Sequence, residues 1–228
     1  MIENNVKPNE SGGVTLSFLK RDAAPGSASP WLLVLLHGVG SNEKDLFGLA
    51  SHVPANFHVV SLRAPNVVGH GSYAWFQFGV SPQGQRVIHQ AQEATSRRLV
   101  AETLAALSLQ LGVQPERVVV GGFSQGGIMS LSLLLTQPQL VHGAMVLHSR
   151  LLDEVLPFVA PQAQLQGKQL WVSGGSRDQV LPIAHSRSIR EHVQKLPLTL
   201  RYTEFPNAHE ITPDELTGAM QWLQQLAA

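Results

Sequence analysis

One serine in this chain stands where a nucleophile could be made. Gly122-Phe123-Ser124-Gln125-Gly126 spells G-x-S-x-G, with Gly121 before it and Gly127 after it. Upstream, Val118-Val119-Val120 is a β-branched apolar run. Downstream, Ile128, Leu131, Leu134 and Leu135 keep helical spacing. Strand, sharp turn and helix with a serine at the apex is a nucleophile elbow. The glycines have a mechanical reason, since so tight a reversal leaves no room for Cβ atoms beside the apex. The serine then sits at a helix N-terminus, where free N–H groups and the helix dipole favour an anion.

A serine hydroxyl is a weak nucleophile unless a neighbouring base takes its proton, and the base needs an orienting group. Folds built on this elbow carry the three in the chain order serine, acid, histidine. The chain holds ten histidines. His37, His52, His58, His70 and His89 precede the serine, and His37 is expected to shape a loop beside it. His142 and His148 bracket a strand upstream of the candidate acid. His185 and His192 fall within a predicted helix and are expected to face solvent. His209 alone follows the acid in a strand-to-helix loop and is the expected base. Asp178, in Gly175-Ser176-Arg177-Asp178-Gln179-Val180-Leu181-Pro182, is the expected acid, with Asp153 as its rival. Acyl transfer also needs N–H donors for a developing oxyanion. Gln125 would supply one and Val39, after His37-Gly38, the other; by itself His37-Gly38-Val39-Gly40 also reads as an ordinary glycine turn.

These residues need a scaffold, and the apolar pattern describes one. Trp31–Leu36 is a continuous apolar run, as in a strand buried on both faces. Phe57–Leu62, Arg117–Val120, Ala144–Leu147 and Gln169–Ser173 read as further strands. Val14–Lys20 and Leu198–Thr203 read as edge strands. Helices are expected from Asn42 through Leu46 and Ala50, from Gln92 to Leu111 with Gly112 ending it, after the elbow, and from Pro182 to about Lys195. The last begins at the capping box Thr212-Pro213-Asp214-Glu215 and faces Leu216, Met220 and Leu223 inward. Strands alternating with helices imply an α/β fold with a mostly parallel sheet covered on both faces. Sites in such sheets form beyond the carboxyl ends of the strands. The loops after Leu36, Val120, Ser173 and Phe205 would therefore meet on one edge, bringing Val39, Ser124, Asp178 and His209 together.

Bulk composition narrows the partners. The 228 residues suit one domain spanning 1–228, with 66–90 and 151–166 as loops over the site and no separate cap domain. Formal charge is zero and no basic run appears, so no nucleic acid is expected as partner. With no cysteine, disulfides, zinc–thiolate sites and a cysteine nucleophile are excluded. Met1 to Asn9 is polar, and no stretch is apolar enough to span a bilayer, so a cytoplasmic location without membrane insertion is expected.

Leu36-His37-Gly38-Val39-Gly40, Ala74-Trp75-Phe76, Gly121-Gly122-Phe123-Ser124-Gln125-Gly126-Gly127, Asp178 with Val180 and Pro182, and His209-Glu210 run in one order from about Leu33 to Leu223. Together they resemble the phospholipase/carboxylesterase family of small α/β-hydrolases. The resemblance implies the α/β-hydrolase fold and a serine carboxylesterase acting on small-molecule esters of short to medium chain, with no metal or organic cofactor. It also implies that Trp75 and Phe76 border the acyl pocket, with Val180 and Leu181 near the catalytic acid; all four could instead pack a long loop onto the core. Three departures bear on substrate choice: Gln77 where the family often has Asp, Ser149-Arg150 where it tends to have Ser-Gly, and Asn207-Ala208 in place of a glycine-rich lead.

Lysophospholipase or acyl-protein thioesterase activity would use the same three residues. Exposed apolar residues in 66–90 and 151–166 could form a homodimer face. Two readings lie further off. Strand, Gly38-x-Gly40, helix, strand and Arg63 loosely mimics an NADP site of an oxidoreductase, but Glu43 occupies the place of the third glycine. A non-catalytic binding module on a hydrolase fold is the other.

Overall fold

The computed structural model describes residues 15–84 and 86–228. A seven-stranded sheet forms its middle. In chain order these strands are β1 (Phe18–Arg21), β2 (Trp31–Leu36), β3 (Phe57–Leu62), β8 (Val118–Phe123), β9 (Gly143–Leu147), β10 (Gln169–Gly175) and β11 (Thr199–Phe205). Between β3 and β8 lie two hairpins, β4 (Asn66–Gly69) with β5 (Ser72–Ala74) and β6 (Phe78–Val80) with β7 (Arg86–Ile88). The helices are α1 (Lys44–Phe47), α2 (Gln90–Leu111), α3 (Gln125–Thr136), α4 (Gln162–Leu165), α5 (Ala184–Val193) and α6 (Pro213–Leu226). Strand order is β1-β3-β2-β8-β9-β10-β11, parallel throughout except that β1 runs antiparallel to β3.

Apolar burial explains this layout. Every residue of β2 and every residue of β9 is buried, as a strand covered on both faces requires. Two apolar clusters form, one on each side of the sheet. Leu32, Val34, Val118 and Val120 point into one with α2 and α3. Leu33, Leu35, Val119 and Trp171 point into the other with α6. The alternation along β2 and β8 is the period-two pleat of a strand.

The structure differs from the sequence expectations in several places, three of which bear on the site's surroundings. Segment 66–90 is not one loop: its polar and valine residues pair into the two hairpins. Helix α2 starts two residues early because His89 caps it, accepting from the Gln92 N–H, while Gly112 ends it at φ 64° as expected. The capping box at Thr212 does not form. Thr212 makes no side-chain cap and Glu215 is fully buried instead of turning back to the helix start. The inward face of α6 accordingly runs through Glu215, Ala219, Trp222 and Leu223, leaving Leu216 and Met220 half-buried.

Candidate active site

The elbow begins where β8 ends. Ser124 takes φ 54° and ψ −116°, a conformation that few side chains accept. It is held there by backbone bonds: its N–H donates to Leu147 O at 2.9 Å, and its carbonyl accepts from Ile128 N at 3.1 Å and from Ser149 Oγ at 2.9 Å. Its flanking glycines are needed for space. A Cβ on Gly122 would collide with the backbone of Gly126, and one on Gly126 with the carbonyl of Leu36. So β2, β8 and α3 touch backbone to backbone, and Ser124 is pinned over the sheet edge.

Three loops converge on it. His209 Nε2 lies 3.0 Å from Ser124 Oγ, and His209 Nδ1 lies 2.6 Å from Asp178 Oδ2. Asp178 is buried in the turn after β10, and its Oδ1 accepts from the Val180 and Leu181 N–H groups, both at 2.8 Å. Burial would raise the Asp178 pKa. Hydrogen bonds from His209, His148 and Leu181 outweigh it and hold the carboxyl below its usual range. Asp153, the rival acid, is exposed on a turn at Asp153–Phe158.

On the other side of Ser124 runs His37 to Ser41. A Cβ on Gly38 would lie 3.6 Å from Ser124 Cβ, so this loop passes alongside the serine. Gly40, at φ 82°, donates to Tyr73 O at 2.8 Å, and Tyr73 N donates back to Ser41 O at 2.8 Å. These two bonds latch the loop to the β4–β5 hairpin. His37 is buried, its Nε2 accepting from Ala64 N at 3.1 Å and its Nδ1 facing Gly38 O at 2.7 Å. That pattern requires the neutral tautomer with the proton on Nδ1, and burial lowers the ring's pKa. Gln125 opens α3 beside the loop.

Of the two positions open to Trp75 and Phe76, an acyl pocket or the core, their burial fits the core. Both are buried in the core rather than facing the site's mouth. Trp75 N donates to Gln125 Oε1 at 2.8 Å, Trp75 Nε1 to His37 O at 2.9 Å, and Gln125 Nε2 to Phe76 O at 2.7 Å. These bonds spend the polar groups of the segment on holding the elbow and its neighbouring loop. The residues brace the site from behind. Of the pair near the acid, Leu181 is buried and Val180 is 49% exposed; both act on Asp178 through their N–H groups. His185 and His192, expected in solvent, are both half-buried.

Residues 23 to 227 match the family described as phospholipase/carboxylesterase. The chain belongs to that family. It is therefore an α/β-hydrolase and an enzyme of the ester-hydrolysing serine class. Among its relatives, acyl-protein thioesterase 1 of Kluyveromyces lactis is 24% identical over 90% of this chain and 96% of its own. Acyl-protein thioesterase 1 of Gibberella zeae is 30% identical, over half of each chain. The carboxylesterase of Bacillus cereus superposes with a TM-score of 0.78 at 21% identity, covering 93% of this chain and 95% of the other. Esterase PE8 gives a TM-score of 0.78 at 25% identity over 92% and 99%. The dinucleotide reading fails on this family membership and on a local fact. Arg63, imagined as a phosphate ligand, is taken by the buried Glu43 in a two-pronged pair at 2.6 and 2.5 Å.

Sequence reasoning missed one part of the site. His148, set aside for lying upstream of the acid, is fully enclosed against Asp178: its Nδ1 is 2.9 Å from Asp178 Oδ2, and its Nε2 is 3.1 Å from Glu215 Oε2. Ser173 Oγ reaches Glu215 Oε1 at 2.5 Å and Asn207 Nδ2 reaches Oε2 at 3.0 Å. The available signal was position, since His148 ends a buried strand on the same sheet edge as Ser124. His148, Asp178 and His209 offer atoms within 4.8 Å of one another, close enough for a metal. Their contacts of 2.6 and 2.9 Å are hydrogen bonds of ordinary length, which account for the cluster without a cation.

Proposed function

We propose that Ser124, His209 and Asp178 are the catalytic triad of a carboxylesterase acting on esters with short to medium acyl chains. The observation that carries it is the continuous relay from Ser124 Oγ to His209 Nε2 at 3.0 Å and from His209 Nδ1 to Asp178 Oδ2 at 2.6 Å. His209 takes the proton of Ser124 as Oγ attacks the ester carbonyl. Asp178 keeps the imidazole tautomer and stabilises the imidazolium. The N–H groups of Val39 and Gln125 receive the oxyanion; the passage of Gly38 beside Ser124 and the start of α3 at Gln125 support that role. As the intermediate collapses, His209 protonates the leaving alkoxide. Water then loses a proton to His209, its oxygen attacks the acyl carbon, and Ser124 leaves with the proton returned.

Val39, 44% exposed, and Val180, 49% exposed, are apolar side chains on the loops that carry Gly38 and Asp178, and this reading gives them to a short acyl group. The test is a short p-nitrophenyl ester with Ser124→Ala. Hydrolysis should fall by about 10⁶-fold with the fold retained, and a fluorophosphonate should label Ser124 alone. Full activity in the variant, or labelling elsewhere, overturns the assignment. A series of acyl chain lengths would check the short-chain preference.

A further inference from the structure

Two non-glycine residues among those described have positive φ: Ser124, and His148 at 46°. Such strain in a β-strand-to-loop junction persists where the surroundings enforce it, and it clusters at functional sites. His148 follows β9 directly, its N–H bonded to Ser173 O at 3.0 Å, and the backbone turn aims its ring at Asp178.

The hydrogen-bond partners of that ring bear on its state. Asn207 Nδ2 has two hydrogens, spent on Glu210 O at 2.8 Å and Glu215 Oε2 at 3.0 Å, so its 3.4 Å approach to His148 Nε2 is not a third bond. His148 Nε2 therefore faces only the Glu215 carboxylate, and Nδ1 only the Asp178 carboxylate. An ionised carboxylate accepts and does not donate, so a ring set between two of them carries hydrogen on both nitrogens. Among the described residues, the titratable groups facing the ring are Asp178, Glu215 and His209, whose ring stands edge-on at 5.7 Å; Phe123 covers it at 5.6 Å. Burial opposes charge on His148, but the hydrogen bonds and charges of Glu215 and then Asp178 outweigh it and raise its pKa.

We propose that His148 is a positioning residue for ester hydrolysis: a buried imidazolium, anchored by Glu215, that clamps Asp178 Oδ2 opposite His209 and balances the carboxylate charge that His209 faces. This rests on the triad reading above. Asp178 Oδ2 receives His209 from one side and His148 from the other, so the carboxylate cannot turn away from the base. Removing the positive ring would leave the Asp178 charge uncompensated beside His209. A merely structural histidine would affect folding at every pH and leave the rate profile in place.

The experiment is the pH profile of kcat/KM on a short p-nitrophenyl ester for the native chain and for His148→Gln. The acid limb should move up by about one pH unit in the variant, while KM stays within about twofold and a fluorophosphonate still labels Ser124 at pH 9. An unchanged limb in a variant that labels normally overturns the clamp and leaves the triad standing. Loss of labelling at Ser124 in the native chain overturns the triad itself. Nitrogen-15 spectra of the native chain provide a test that needs no variant to fold. One histidine should keep both ring nitrogens protonated at pH 8. A spectrum in which every histidine is neutral at that pH overturns the proposal.

Discussion

The two sides of Ser124 are built from the same residue type used in opposite ways. His37 and His148 each follow a buried parallel strand on one sheet edge, and each is enclosed. His37 meets a backbone N–H and a backbone carbonyl, and stays neutral. His148 meets two carboxylates and is charged. Burial presses both rings toward neutrality, so the hydrogen-bond partners decide the outcome. The proposed oxyanion site lies on the neutral side, where backbone N–H groups can receive charge. Imidazolium chemistry belongs on the ionic side, where a carboxylate waits for it.

Substitution of Asp178 should separate the sides most sharply. Asp178→Asn keeps the shape of the charged side but loses the acceptor shared by two histidines. A drop of about 10⁴-fold in kcat is expected, read on a short p-nitrophenyl ester, with the Gly38 side unaffected. On the neutral side, Gln125→Ala should cost stability more than catalysis. It strips partners from the buried Trp75 N–H and Phe76 carbonyl, about 1 to 3 kcal/mol for each group left unsatisfied. Urea unfolding would measure this. The backbone N–H of residue 125 remains, so kcat should fall far less than in Asp178→Asn.

Acidity gives the finer contrast, because the two histidines have opposite signs. The folded pKa of His37 lies below the unfolded value of about 6.5. Its contribution is therefore intact above that value and is lost as pH falls toward the folded pKa. The folded pKa of His148 is raised. Its contribution is intact below about pH 6.5 and is lost as pH rises through the folded pKa. Urea titrations at pH 5, 7 and 9 should show His148→Gln least costly at pH 9. The converse trend would contradict the charge assigned to the ring. The smallest effect belongs far from either side. Glu204 on β11 is held at about 2, by the Arg187 hydrogen bond foremost and by Tyr202. That pair is largely in solvent, where water and salt screen it. Arg187→Ala should leave esterase activity unchanged and move the melting temperature by no more than about 2 °C.

The sheet, the sharp turn at Ser124 and the meeting of Ser124, Asp178 and His209 were legible in the sequence because each rests on a local rule. Apolar runs mark buried strands, and glycines mark backbone contact around Ser124. The brace at Trp75 and Phe76 was left open because an aromatic pair on a long connection looks the same whether it faces substrate or core. What separates the two cases is Gln125, 49 residues away from Phe76, filling their hydrogen bonds. His148 and Glu215 were hidden for a related reason. Their partners come from three other segments, and Glu215 sat in a pattern that a helix cap explains equally well. Pairings across the fold leave no periodic trace.

Glu215 adds a constraint of timing. It lies on α6, downstream of every triad residue, yet it is one of the two carboxylates on which the charge of His148 depends. A nascent chain that has left the ribosome only as far as His209 already holds the proposed nucleophile, acid and base. It lacks the group that anchors the ring beside its acid. Until α6 packs onto β10, His148 has lost one of its two counter-charges, and the acid side of the site is unfinished. During synthesis, then, hydrolytic competence should arrive late and abruptly, with the docking of one helix.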